Sequence, residues 1–245
     1  QTKLDGHAHY DVNAIYLAGY GVTLLTNSGY DSFGEGAPGF DWSYVHDNAF
    51  SSNTVTMNNQ NHTSKTGEGI SESLLTPFLD YAAGIADAAV PGKHIRNFFF
   101  VPPQGTNGYF FTVDEVTGSN AGDTAQVNFH PQSSTVTTTQ ASKEYTWKIT
   151  RDLANPSNFG SNVVSLSIFL GTPPTGTPAL NDGALLGVNK YLIGKYLSSN
   201  YTMNSNGKKN IVSVLFPHDS THAKANFANI SGSGFSGAST TQGST

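Results

Sequence analysis

Short runs rich in Val, Ile, Thr, Tyr and Phe recur at residues 54–57, 97–101, 109–113, 125–129, 145–149, 163–169 and 211–216, with clusters of Gly, Pro, Asn and Ser between them. Branched and aromatic side chains suit a pleated, half-buried surface, and the intervening residues are those that turn a chain. Residues 14–25, AIYLAGYGVTLL, form two further runs broken by Gly19 and Gly21, the pattern of a hairpin. Strands at this spacing predict an all-β fold, an antiparallel β-sandwich with at most one or two short helices. The helical candidates are residues 74–89, limited at the start by Pro77 and equally well read as an apolar strand with a following loop, and 185–197, where apolar residues recur near helical spacing. No internal repeat stands out.

Charged residues make up only 12% of the 245, while Ser, Thr, Asn and Gly are abundant, which favours turns and strand edges over exposed helices. The hydrophobic share of 37% is enough for one large sandwich over residues 1–230. From Ser231 to the end Gly, Ser and Thr dominate, so residues 231–245 are expected as a tail or linker that buries too little apolar surface to order itself.

A net charge of −5 with twelve Lys and Arg gives no electrostatic footprint for nucleic acid. No apolar run approaches the roughly 20 residues that span a bilayer. The absence of cysteine leaves the redox compartment open, since a domain of this size needs no disulfide. The composition points to a secreted, extracellular or periplasmic protein. Gln1 in place of an initiator Met fits a processed or excised start, and three Asn-X-Ser/Thr triplets at Asn61, Asn200 and Asn229 permit glycosylation in a eukaryotic source.

The opening Gly6-His7-Ala8-His9-Tyr10-Asp11, followed by an apolar run, a Gly turn, a second run and Gly29, resembles the start of the sandwich in heparinase II/III-like polysaccharide lyases. Downstream, Ser52-Asn53-Thr54-Val55, HIRNFFFV, GYFFTVDEV, VNFHP and SVLFP are similar to segments of that family in the same order, over most of residues 4–220. The resemblance implies a C-terminal β-sandwich that works with an N-terminal helical toroid, on the same chain or a second one, to cleave an acidic, uronate-containing polysaccharide. Without the toroid such a sandwich is expected to be inactive.

The implied reaction is β-elimination. A base takes the proton at C5, a donor neutralises the uronate carboxylate, and an acid protonates the leaving oxygen. By resemblance His7 reaches the catalytic cleft from the sandwich, while the Tyr acid/base comes from the toroid. In several of these families the second His binds a structural zinc with an Asp and another His. Here His9 matches, but Asn27 and Ser52 stand at the other two positions. Neutral amide and hydroxyl groups are poor zinc donors, and His46 or His62 are the substitute ligands to consider.

The residues themselves leave alternatives open. His7 and His9 share one face of an extended segment, which suits a site or a solvated edge. Asp11 reads as a hydrogen-bond acceptor at the strand entry and Tyr10 as core packing. Arg96 is a candidate contact for an anionic sugar, or a salt-bridge partner of Asp87 or Asp114. His130 is a candidate substrate contact or a strand-terminal residue. His218 and His222 have the i, i+4 spacing of a metal pair, but Pro217 favours a loop, and Glu68 and Glu72 read as solvated loop charges. Phe33, Phe40, Trp42 and Tyr44 lie in a Gly-rich loop where rings stack on sugars or cover the open end of the sandwich. Two functions follow: the sandwich of a uronate-polysaccharide lyase, or a non-catalytic carbohydrate-binding or structural domain that self-assembles through edge strands.

Overall fold

The computed structural model describes residues 8–27, 47–139, 143–149, 163–186, 191–233 and 235–243. The strands are β1 (Leu17–Gly19), β2 (Val22–Leu25), β3 (Val55–Met57), β4 (Gly69–Leu75), β5 (Asp80–Ile85), β6 (Lys93–Val101), β7 (Tyr109–Thr117), β8 (Thr124–Phe129), β9 (Val136–Thr139), β10 (Glu144–Ile149), β11 (Val164–Leu170), β12 (Ala179–Leu186), β13 (Tyr191–Thr202), β14 (Lys208–His218), β15 (Asn226–Gly232) and β16 (Phe235–Thr241). A large sheet runs in the order β4-β5-β6-β7-β14-β11-β10-β9, a smaller one in the order β12-β13-β8-β3, and β1-β2 and β15-β16 are hairpins. All paired strands are antiparallel, the sandwich expected from the strand pattern.

Alternation along each strand builds the core. Trp147, Leu166, Ile168, Ile211 and Leu215 of the large sheet meet Val55, Met57, Val127, Phe129, Leu197 and Tyr201 of the small one in a single buried cluster. The Trp147 indole N–H donates to the Lys195 carbonyl at 2.8 Å, so one ring joins β10 to β13. Leu17, Leu24 and Leu25 of the first hairpin enter the same cluster, which fixes the N-terminal segment against the end of the sandwich.

Both helical candidates are strands. Within residues 74–89, Pro77 lies in a tight connection where the Thr76 hydroxyl donates to the Leu79 carbonyl at 2.7 Å, and the chain reverses from β4 into β5. In 185–197 the apolar spacing mimics a helix, but β13 lies between β12 and β8 and pairs on both edges. The helical element among the described residues is one 3-10 turn, Ala49–Ser51, capped by the Asn48 side chain. No helix among these residues is long and apolar enough to cross a membrane.

The start of the expected tail also takes on structure, because residues 231–232 and 235–241 belong to the paired strands β15 and β16, which pack against β11 and β14 of the large sheet. Phe227 stacks on Phe169 at 5.4 Å and meets Phe216 edge-on at 5.7 Å. Small residues permit this close approach: a Cβ built on Gly171 would sit 2.9 Å from that of Ala238. The Asn229 amide donates to the carbonyls of Leu170 and Gly171, and the Gln242 side chain bonds the backbone of Asn107 in both directions. A composition poor in large apolar groups is thus held by two aromatic contacts and by amide hydrogen bonds to exposed backbone.

Candidate active-site end of the sandwich

The segment from Ala8 to Ile15 is tied to the large sheet and to the 52–54 loop. Asp114 on β7 is fully buried, and Arg96 on β6 is 2% exposed. The Arg96 guanidinium donates to both carboxylate oxygens of Asp114, at 2.7 and 3.1 Å. Its remaining bonds go to the carbonyls of Asn13, at 3.0 Å, and of Asn53. One buried cation therefore clamps the N-terminal segment and the 52–54 loop to the large sheet. His94 donates from Nε2 to the same carboxylate at 2.8 Å.

Burial lowers the His94 pKa despite the carboxylate beside it, so this contact is a hydrogen bond from neutral imidazole, and Arg96 supplies the balancing charge. Burial alone would raise the Asp114 carboxyl, but Arg96 and His94 hold it down to about 2.

Further contacts seat the same segment. Asn13, in the left-handed region at φ 58°, donates from its amide to the Gly84 carbonyl at 3.0 Å. The Thr54 hydroxyl donates to the Val12 carbonyl at 2.5 Å. The Asn53 side-chain oxygen accepts the His130 backbone N–H at 2.6 Å, which ties the loop to the end of β8.

Of the residues singled out in the sequence, His7, His46, Phe33, Phe40, Trp42 and Tyr44 lie outside the described residues. His9 is half-buried on the segment just described. Arg96, considered as a sugar contact, is instead turned into the protein, with four donor contacts satisfied inside it. His130 is 1% exposed, stacks on Tyr196 at 4.4 Å, and bonds the Phe50 carbonyl through Nε2 at 2.9 Å. Burial lowers its pKa to about 4 and keeps it neutral. It supports the Phe50 turn and has no face toward a ligand in solution.

The zinc positions do not fit zinc. Asn27, 6% exposed, donates from its amide to the Asp11 carboxylate at 3.1 Å and to the Tyr16 hydroxyl, and Tyr16 donates to the same carboxylate oxygen at 3.1 Å. Burial foremost, then the charge of Asp11, raises the Tyr16 pKa and keeps it a donor. Asp11 thereby fills the acceptor role expected of it. The side-chain oxygen of Asn27 is buried without a hydrogen-bond partner, but amide oxygen is a poor zinc donor.

Ser52 is buried in the turn that follows the 3-10 element, its N–H on the Ala49 carbonyl at 3.1 Å. The substitute ligand His62 is buried too and bonds the Val55 carbonyl at 2.8 Å, with its pKa lowered mainly by burial. Among the described residues no three His, Cys, Asp or Glu side chains come close enough to share a metal. His218 bonds the Ser167 hydroxyl and His222 bonds Asp219, so these two are not a pair. Glu68 accepts the N–H groups of Asp87 and Ala88, while Glu72 lies on the exposed strand β4.

Residues 1–186 match the model of the family described as heparinase II/III-like, C-terminal. The chain belongs to this family. Solved structures agree on the fold of the heparinase II/III-like C-terminal domain. A heparan sulfate lyase, HepC, from Pedobacter heparinus superposes with a TM-score of 0.71 at 18% identity, over 94% of this chain and 33% of that one. Two structures of heparinase III give TM-scores of 0.72 and 0.67 at 18% and 16% identity, covering 92% and 95% of this chain and 33% and 34% of theirs. The chain thus spans about a third of the length of these relatives. None of the curated proteins matches the sequence.

In this heparinase II/III-like domain the segment before β1 is supported by the Arg96–Asp114 pair, one of the two pairings that the sequence offered for Arg96, and by His94, Asn13 and Asn53, which it did not single out as site residues. Arg96 and Asp114 both sit among apolar residues on strand-like runs, where an unpaired charge is not tolerated.

Proposed function

We propose that this domain is the sandwich half of a polysaccharide lyase that cleaves an acidic, uronate-containing polymer by β-elimination, with a helical toroid supplying the other half of the cleft. The observation that carries the reading is the clamp on the carbonyl of Asn13, in the segment that follows His9. A fully buried ion pair costs desolvation, and this one uses its remaining donors to fix the carbonyls of Asn13 and Asn53. Such rigid support is what a catalytic side chain on the adjoining segment requires.

His7 is the sandwich's contribution to the reacting end of the substrate. The C5 proton leaves to a base, its electron pair forms the C4–C5 double bond, and the C4–O bond breaks as the leaving oxygen takes a proton. The Tyr that moves these protons belongs to the toroid. Secretion to an extracellular or periplasmic compartment, where such polymers are met, is part of the proposal.

The test is to read the coding sequence upstream of Gln1 and to weigh the native protein. A preceding helical domain with a Tyr and an Arg or Asn facing the sandwich supports the lyase. A signal peptide joined directly to Gln1 refutes it.

One observation favours a second reading, a non-catalytic assembly domain. Strand β4 is an edge strand exposed along its whole length, with Leu75 81% and Ile70 73% exposed. Such an edge can pair with another copy. A monomer at high concentration would rule this out.

A further inference from the structure

Away from the N-terminal segment, the turn of the β1–β2 hairpin, the β6–β7 connection and the loop after β14 enclose a cavity of about 330 Å³. Tyr20, Phe100, Phe110, Asn107, Pro217 and His222 line it. This volume is at the lower end of small-molecule sites, which run from about 300 to 1,000 Å³. We propose that the cavity is a binding subsite for one uncharged pyranose residue of a polysaccharide, with Tyr20 as its stacking platform and His222 as its hydrogen-bonding group.

Three features support this assignment. The first is the backbone of Tyr20, which lies in the left-handed region at φ 51°, next to Gly21 at φ 77°. A two-residue hairpin turn of this kind favours Asn or Gly at its first central position, and a Tyr there is strained. The ring is not inserted into the core: Tyr20 is 37% exposed and tilts against the His222 ring at 4.9 Å between centroids. Strain is retained for a side chain that faces the cavity rather than one that packs the interior.

The second is the fixed orientation of His222. Its Nδ1 bonds Asp219 Oδ1 at 2.8 Å, with the Thr221 hydroxyl 2.9 Å from the same nitrogen. Asp219 also accepts the N–H groups of Thr221 and His222 and the Thr221 hydroxyl, and these bonds outweigh burial to hold its pKa at about 2. The bond to Asp219 engages Nδ1 and fixes the ring, which leaves Nε2 as the ring nitrogen for a sugar hydroxyl.

The third is that the walls are joined before any ligand arrives. The Asn107 amide donates to the Ala223 carbonyl at 2.8 Å, and Asn107 N–H and C=O are both bonded by Gln242. Preorganised walls avoid part of the ordering cost of binding. Among the described residues no Lys, Arg, Asp or Glu lines the cavity, which suits an uncharged ring, such as an N-acetylhexosamine, better than a uronate.

This inference rests on the reading of the domain as a polysaccharide-binding fold but not on its catalysis. The test is titration of the 245-residue chain with N,N′-diacetylchitobiose and, separately, with a uronate trisaccharide, followed by amide NMR shifts and calorimetry. We expect chitobiose to shift Tyr20, Asn107 and His222, and the uronate not to displace it.

Tyr20→Gly removes the ring while suiting the positive φ. It should weaken chitobiose binding by about tenfold with the melting temperature unchanged or raised. His222→Ala should weaken binding as well, and His7→Ala should leave it intact. Unchanged binding in Tyr20→Gly, shifts elsewhere on the domain, or none at all overturns the proposal. A loss of stability in Tyr20→Gly with no change in binding would show a purely structural ring. Failure of the lyase reading is separate, because it is measured by product formation in the full enzyme.

Discussion

Arg96 shows how one side chain carries the local design. It neutralises Asp114 in the interior and holds two loop carbonyls, so its removal leaves a buried carboxylate without its balancing charge and two loops without this anchor. Arg96→Met should lower stability by about 3–5 kcal/mol, measured by urea denaturation at neutral pH.

His130 predicts a pH dependence of definite sign. Its folded pKa of about 4 lies below the ordinary 6.5, so the unfolded chain takes up this proton first as pH falls. The stabilisation is complete above the ordinary value and is lost as pH falls toward 4, by about 3 kcal/mol. Unfolding free energies from pH 7 to 4 should therefore fall less steeply in His130→Gln than in the native chain. His62 and His94, also lowered by burial, act in the same direction and leave a residual slope.

At the level of elements, the β15–β16 hairpin is the part whose composition least foretold its structure. Its attachment depends on Phe227 against Phe169 and Phe216, and Phe227→Ala should cost about 2 kcal/mol. Thermal melting, together with earlier proteolysis beyond residue 225, checks this.

The central strands were legible because Val, Ile and aromatic residues alternate between turn residues, as in β6, β7, β8, β10, β11 and β14. Residues 74–89 and 185–197 misled because apolar spacing near 3.6 also arises by chance in strands and their connections, and single-sequence periodicity does not contain the partner strand. The hairpin was hidden for a related reason. What orders it is Gly171, the aromatic rings of β11 and β14 and the Asn107 loop, all distant in sequence. At the site, the Gly6-His7-Ala8-His9 pattern and the substitutions Asn27 and Ser52 were visible, but the Asp11–Tyr16–Asn27 cluster needed the fold to bring its members together.

For the whole molecule, the sandwich anchors the segment that follows His9 through Arg96, and the chain accounts for about a third of the length of the solved lyases it resembles. Under the proposed function the acid/base Tyr comes from a toroid, and the activity belongs to the assembled enzyme. The most direct test is to express the full coding sequence with and without His7→Ala and to follow the ultraviolet absorbance of unsaturated uronate ends on alginate, heparosan and heparan sulfate. We expect one of these polymers to be cleaved by the full protein, the turnover number to fall by about 100-fold or more in His7→Ala, and residues 1–245 alone to be inactive. Full activity in the His7→Ala protein, or no product from any uronate polymer, would contradict the account.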